Sequence, residues 1–316
     1  PASAGGAAGG AAVADPLDDL IPRQSIDKLI PSAAIAQLNH ANWKERKEGL
    51  EQIQGILEAN SRLKPEMNEL TSALKLRYAD SNMQVRTLAL DVISRIAAGM
   101  GKGFESHART FVPPVTAVLA DAKAPIRASA SSALTAMAEA IGAGPMVPGF
   151  ASVLDSKAAN PTLKQDLFTW LASWFEGHPP EKPMDLSPIA LPAVLALDDK
   201  LAAVRKAAQA CLPYVIARAG YKFVIDQTNG LKAASRNSVI PLIDAAKGQA
   251  AAKAAAVAAP KAAVGAPKPV SAAKPANAGP SEVPSEATSA PSNRQSVIRA
   301  PGIKAPSAVA RSLRAP

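Results

Sequence analysis

Asp80-Ser-Asn-Met-Gln-Val-Arg86 is the stretch that decides the fold, because the chain repeats it. Asp121-Ala-Lys-Ala-Pro-Ile-Arg127 and Asp199-Lys-Leu-Ala-Ala-Val-Arg205 keep its acid, its aliphatic residue and its arginine in register. Three residues after each arginine stands an alanine (Ala89, Ala130, Ala208), and seven after it an aliphatic residue (Ile93, Leu134, Leu212). Those offsets fall on one face of a helix. Two looser copies, Asn42-Trp-Lys-Glu-Arg46 and Asn160-Pro-Thr-Leu-Lys164, carry Ile53 and Leu171 at the same place.

The basic positions 46, 86, 127, 164 and 205 lie 40, 41, 37 and 41 residues apart. A helix–turn–helix pattern at a period near forty is the mark of HEAT or armadillo repeats. The fold class it predicts is all-α, a HEAT-repeat α-solenoid of about six helix pairs. The predicted pairs are 32–38 with 43–60, 66–78 with 83–100, 107–119 with 125–141, 146–154 with 161–175, 188–197 with 201–219, and 221–228 with 236–247. Such a stack carries one row of turns along an edge and binds macromolecules rather than transforming small ones.

Composition divides the 316 residues unevenly. From residue 250 onward nine basic residues face two acidic ones, a net of +7, which leaves about +2 of the formal +9 for residues 1–249. The Ala/Gly-rich residues 1–15 read as a linker and 16–248 as the repeat domain. Residues 249–316 read as a disordered basic Ala/Pro/Ser/Lys tail without periodicity. The alanine run 249–259 allows the last helix to continue into it. Leu17, Leu20, Ile21, Ile26, Leu29 and Ile30 are expected to cover the open apolar end of the first repeat.

Cys211 is the only cysteine. No internal disulfide can form, which suits a reducing cytoplasm, and its place on an apolar stripe predicts a small core residue. No apolar run reaches the roughly 18–20 residues that span a bilayer, so no membrane partner is expected. The start lacks a methionine and a basic region, which suggests a piece of a longer chain and no signal peptide.

His40, His107 and His178 have no partners at metal-ligand spacing, and no phosphate loop, paired-carboxylate or Ser/His/Asp order occurs. Gly101-Lys-Gly103 reads as a helix stop. No enzyme activity, cofactor or metal is implied. The turns are more informative. Trp43 either anchors a partner from the first turn or folds back on the first helix. Lys44, Lys123, Lys157, Lys164, Lys200 and Lys206 would line the same edge and give an acidic partner a field to dock against. Arg86, Arg127 and Arg205, each six residues after an aspartate, are placed to form an ion-pair ladder between repeats.

The stretch Asn42-Trp43-Lys44-Glu45-Arg46-Lys47-Glu48-Gly49-Leu50 resembles the first repeat of a TOG domain, the tubulin-binding module of the ch-TOG/Dis-one/MOR microtubule polymerases. Asp19-Leu-Ile-Pro-Arg23, Leu70 to Asn82, Asp166 to Leu171 and Ala219-Gly-Tyr-Lys222 are similar to the fourth TOG of those arrays. The resemblance implies that the turn edge faces the tubulin heterodimer and the microtubule, with Trp43 as apolar anchor. It implies tubulin contacts from Lys44, Asn82, Lys123, Lys164, Lys200 and Arg205, and a place in the cytoplasmic cytoskeleton and spindle. The competing reading is a HEAT-repeat adaptor that binds a protein on its helix face. Nucleic-acid binding by the tail ranks below both, because the tail has no interleaved aromatics.

Overall fold

The structure, a computed structural model, describes residues 22–156, 159–178 and 184–258, with side chains to Ala250. The expected linker 1–15 and the tail beyond Ala258 lie outside the described residues, as does Lys157. After a short helix α1 (Ile26–Leu29), twelve helices follow in six pairs. The pairs are α2 (Ser32–Gln37) with α3 (Trp43–Ala59), α4 (Glu69–Arg77) with α5 (Met83–Met100), and α6 (Ala108–Ala117) with α7 (Ala124–Ile141). The chain continues with α8 (Val147–Leu154) and α9 (Pro161–Gly177), α10 (Ser187–Ala196) and α11 (Ala202–Ala219), and α12 (Tyr221–Asp226) and α13 (Ala233–Ala258). Among the described residues there is no strand, only a single bridge between Gln24 and Leu63. This is the HEAT-repeat solenoid that the period predicts.

The last helix runs ten residues past the boundary expected at 248, through the alanine run. Alanine has the highest helix propensity of any residue, and Ala246 and Ala250 are buried against the preceding repeat.

Among the second helices, three start at a side-chain cap and three end at a glycine stop. Asn42, Asn82 and Asn160 accept backbone N–H groups at the starts of α3, α5 and α9, satisfying donors that have no partner inside the helix. The helices α5, α7 and α11 stop at Gly101, Gly142 and Gly220, all at positive φ, where a side chain would be strained. The Gly101-Lys-Gly103 segment is therefore the helix stop expected of it.

The second helices pack side by side, α3 on α5, α5 on α7, α9 on α11 and α11 on α13. Their contact faces hold Ile53, Leu90, Ile93, Leu134, Leu171 and Leu212, all buried, each worth about 1.5–3 kcal/mol removed from water. Within the first pair, α2 lies so close on α3 that a Cβ on Gly49 would fall 2.9 Å from the carbonyl oxygen of Ala34. Between α7 and α9 the spacing is wider. Trp170 reaches across it and its indole Nε1 donates to Thr135 Oγ1 at 2.9 Å.

At the N-terminal end the expected cover is partly in view. Ile26 and Ile30 are buried and Leu29 packs against them, while Leu17, Leu20 and Ile21 fall outside the described residues. Arg23 ties this segment down by donating from Nη1 to the carbonyl of Leu63 and to those of Gly99 and Met100 at the C-terminal end of α5. A cation suits that end of a helix dipole.

Cys211 is fully buried, and burial pushes its thiol up to about 12. It should therefore resist alkylation by iodoacetamide in the native protein and react once the chain is unfolded in urea. Reaction at a similar rate in both states would show that α11 is not packed as described.

Asp80 generates a second prediction. Burial opposes its ionisation, but hydrogen bonds from Arg46 and the Asn82 amide, with the charges of Arg46 and Arg77, outweigh burial and hold the carboxyl below its ordinary range. A carboxyl depressed on folding stabilises the protein above its unfolded value, near 4, and loses that contribution as pH falls through the lower folded value. At neutral pH Asp80→Asn should cost about 3 kcal/mol, since it strands a buried guanidinium. It should also remove part of the acid dependence below about pH 4. Urea denaturation at pH 7 and pH 3.5 checks both. A loss under about 1 kcal/mol at pH 7 would contradict the pairing.

Candidate functional site: the row of turns

The repeated phrase builds one device several times. The turn acid accepts, through Oδ1, the backbone N–H two residues on: Asp80 from Asn82 at 2.9 Å, Asp121 from Lys123 at 2.8 Å, Asp199 from Leu201 at 3.0 Å. In the third and fifth turns the arginine six residues after the acid donates back to the turn carbonyls. Arg127 Nη1 reaches the oxygens of Asp121 and Ala122 at 3.0 and 3.3 Å, and Arg205 Nη1 those of Asp199 and Lys200 at 2.8 and 3.1 Å. Arg46 does the same to His40 and Ala41 at 2.9 and 2.7 Å.

The second oxygen of each acid takes the cation of the preceding repeat. Arg46 grips Asp80 with two parallel bonds, Nε to Oδ2 at 2.7 Å and Nη2 to Oδ1 at 2.8 Å. Arg86 pairs with Asp121, and Lys164 Nζ lies 3.4 Å from Asp199 Oδ2. Of the ladder expected of the arginines, Arg86 and Arg127 form ion pairs, whereas Arg205 donates only to its own turn carbonyls; Arg46, read from the sequence only as a looser copy, is the most buried cation of the ladder. The fourth turn has no aspartate at this place, and Arg127 instead meets Asp166 of α9 at 2.8 Å.

The device fixes what each turn presents. Trp43, first residue of α3, is 36% exposed and Lys44 beside it is exposed. Lys123 caps α7 without a side-chain bond and points no charge into an ion pair; Lys200 and Lys206 are likewise exposed. Among the described residues none of Lys44, Lys123, Lys200 and Lys206 forms a salt bridge. The other three expected contacts are engaged in shaping turns: Asn82 as the cap of α5, Lys164 with Asp199, and Arg205 on its own carbonyls. At an interhelical spacing of 8–10 Å, five turns make an edge roughly 40 Å long, the scale of a protein partner.

Two residues were missed in the sequence. Met83 is 41% exposed and Leu201 52% exposed, both on this edge. Met83 stands three residues before Arg86, as Trp43 stands three before Arg46, so aligning the repeats on their arginines would have found it. Leu201 carries no such signal, being a leucine at a cap position that elsewhere holds asparagine or lysine.

The histidines are all bonded locally. His40 Nδ1 meets the Asn42 amide at 3.1 Å, His107 meets the Pro65 carbonyl, and His178 stacks on Trp174 at 3.8 Å between ring centres. No group of three His, Cys, Asp or Glu side chains among the described residues is placed to hold a metal, and no helix there is long and apolar enough to cross a membrane.

Comparison with known proteins places this geometry. A family model described as XMAP215/Dis1/CLASP, TOG domain matches residues 33–212. Protein mini spindles of Drosophila melanogaster is 28% identical over 231 residues, which cover 72% of this chain and 11% of that protein. Protein MOR1 of Arabidopsis thaliana is 30% identical over 208 residues, 65% of this chain and 10% of that protein. The chain thus spans about a tenth of the length of these curated relatives. A structure solved in work on microtubule plus end tracking by XMAP215, CLIP-170 and EB1 superposes with a TM-score of 0.56 at 21% identity, covering 72% of this chain and 95% of its own. Another, from work on tubulin recruitment and assembly by microtubule polymerases with TOG domain arrays, superposes with a TM-score of 0.56 at 18% identity, covering 73% and 49%. These two carry the fold. The family model takes in more than half of the chain, from α2 into α11, and the chain belongs to the XMAP215/Dis1/CLASP TOG domain family.

Proposed function

We propose that this chain is a tubulin-binding module of a microtubule polymerase, docking the tubulin heterodimer on its row of turns. The observation that carries the reading is a partly exposed tryptophan at the first turn, continued along the same edge by unpaired lysines. Aromatic side chains dominate binding energy at protein interfaces, and a row of cations steers an acidic partner into register. Trp43 is the anchor, Met83 and Leu201 extend its apolar contact, and Lys44, Lys123 and Lys200 supply charge. Asn82, Lys164 and Arg205 belong to the same edge and hold the turns in shape.

Membership of the family supports the reading, as does the solved relative described as recruiting tubulin through TOG arrays. The small share of the curated relatives that the chain spans fits one module among several in a longer protein at microtubules and the spindle. The likeness of Asp19 to Arg23, Leu70 to Asn82, Asp166 to Leu171 and Ala219 to Lys222 to the fourth module supports that position in the array. We assign 16–258 to the module and the basic remainder to a linker with a weak, salt-sensitive attraction to acidic microtubules. An adaptor acting through its helix face is the weaker reading. On α3 and α5 that face is bonded to itself, Gln54 to Asp91 at 3.0 Å, Asp91 to Arg95 at 2.6 Å and Arg95 to Glu58 at 3.1 Å.

Trp43→Ala should weaken tubulin binding by about 2 kcal/mol or more, roughly thirtyfold, with little change in melting temperature. Titration of labelled tubulin and thermal unfolding of the same variant check this. A large fall in melting temperature with unchanged affinity would make Trp43 a packing residue and favour the adaptor.

Arg205→Ala should behave differently. It leaves two turn carbonyls without their donor and should lower stability by about 1–2 kcal/mol, whereas Lys123→Ala and Lys200→Ala should lower affinity and leave urea midpoints in place. Equal stability losses in all three variants would contradict the division between turn-shaping and partner-facing cations.

A further inference from the structure

The first turn departs from turns two, three and five at one atom. In turns two, three and five an aspartate oxygen accepts the N–H of the residue at the following cap. In the first turn the same place is held by His40, whose ring Nδ1 lies 3.1 Å from the Asn42 amide nitrogen. A backbone amide can only donate, so Nδ1 must be the unprotonated nitrogen and the proton must sit on Nε2. A carboxylate keeps its acceptor at any pH near neutrality. An imidazole does not, because it takes up a proton between about pH 5 and 8 and then offers only N–H groups.

What hangs on that acceptor is the Trp43 turn. The Asn42 amide is held by His40, and the Asn42 side chain in turn accepts from the Lys44 amide at 3.0 Å, capping α3. Trp43 lies between the two as the first helical residue. The charged groups around His40 come from α3 and the neighbouring turn. Arg46 sits on the His40 carbonyl oxygen at 2.9 Å and is neutralised by Asp80, which also takes Arg77; Lys44 and Glu45 lie just along α3. No carboxylate is bonded to the His40 ring among the described residues, and the ring is exposed, so a proton can reach it.

We propose that His40 is a positioning residue that makes the Trp43 turn proton-sensitive. With Nδ1 free it holds the Asn42 cap and sets Trp43; protonated, it repels the Asn42 amide and releases the cap. Turns two, three and five, built on aspartate, stay set. The consequence for affinity rests on the tubulin-binding reading, while the effect on the turn itself does not.

The test uses the full chain, wild type and His40→Asn, whose side-chain oxygen restores a pH-independent acceptor. The Asn42 amide is followed by NMR from about pH 7.5 to 5.5, and tubulin affinity is measured at about pH 7.4 and 6.2, both inside the span over which an imidazole changes charge. The Asn42 amide of the wild type should shift along the His40 ring titration. Wild-type affinity should fall about fivefold relative to His40→Asn, the scale of one hydrogen bond. An Asn42 amide that stays still while His40 titrates overturns the proposal, as does the same pH profile in both proteins. An amide that titrates in a chain that binds tubulin at neither pH upholds the proton-sensitive turn and overturns the tubulin-binding reading.

Discussion

The rest of the structure depends on the bond between a cation of one repeat and the turn acid of the next. Arg46 to Asp80 is its strongest instance, two parallel bonds with both side chains buried. A solenoid has no long-range closure, so each repeat is registered only by its neighbour. Apolar packing between helices is non-directional and would tolerate sliding. A bidentate guanidinium–carboxylate pair does not, because its two bonds fix distance and angle together. The same aspartate also folds its own turn through the amide two residues on, so registering the repeats and shaping the proposed binding edge are one act.

The proposed binding surface can therefore be made of turns, which in most proteins are the most mobile segments. Turns two, three and five are each held at both ends, by an acid within and by the preceding cation from without. The side chains left over are those the device does not use, Trp43, Met83, Leu201 and the lysines, and they all project from the same edge because the device repeats. Among the described residues no helix pair precedes the first turn, and the turn holds no aspartate. It carries the tryptophan on an imidazole acceptor, with Arg46 donating to the turn carbonyls.

Much of this was legible in the sequence because the device leaves a trace in one dimension. The aspartate and the arginine six residues later are the two ends of a single turn, and their recurrence gave the period, the helix pairs and the ladder. Capping asparagines at 42, 82 and 160 marked helix starts for an equally local reason. Other features were hidden because their causes lie in three dimensions. That Arg46 would be the best buried of the ladder depends on Asp80, in another repeat, and on Arg77 beside it. Arg127 finds Asp166 in mid-helix only because the fourth turn supplies no acid, and the wider spacing at Trp170 depends on what faces it across α7 and α9. The turn-facing lysines could be named but not sorted: Lys123 and Lys164 look alike in sequence, and only the reach of Asp199 separates a free cation from a tethered one.

The central claim is that the partner meets the edge where the acids and arginines set the turns. Carbodiimide coupling of the chain to tubulin, followed by mapping of the joined lysines, tests it most directly, since the reagent links only amines and carboxylates already in contact. The account predicts links at Lys44, Lys123 and Lys200, with Lys64 and Lys102 on the opposite edge spared. Links concentrated at Lys64 and Lys102, with the turn lysines untouched, would contradict it.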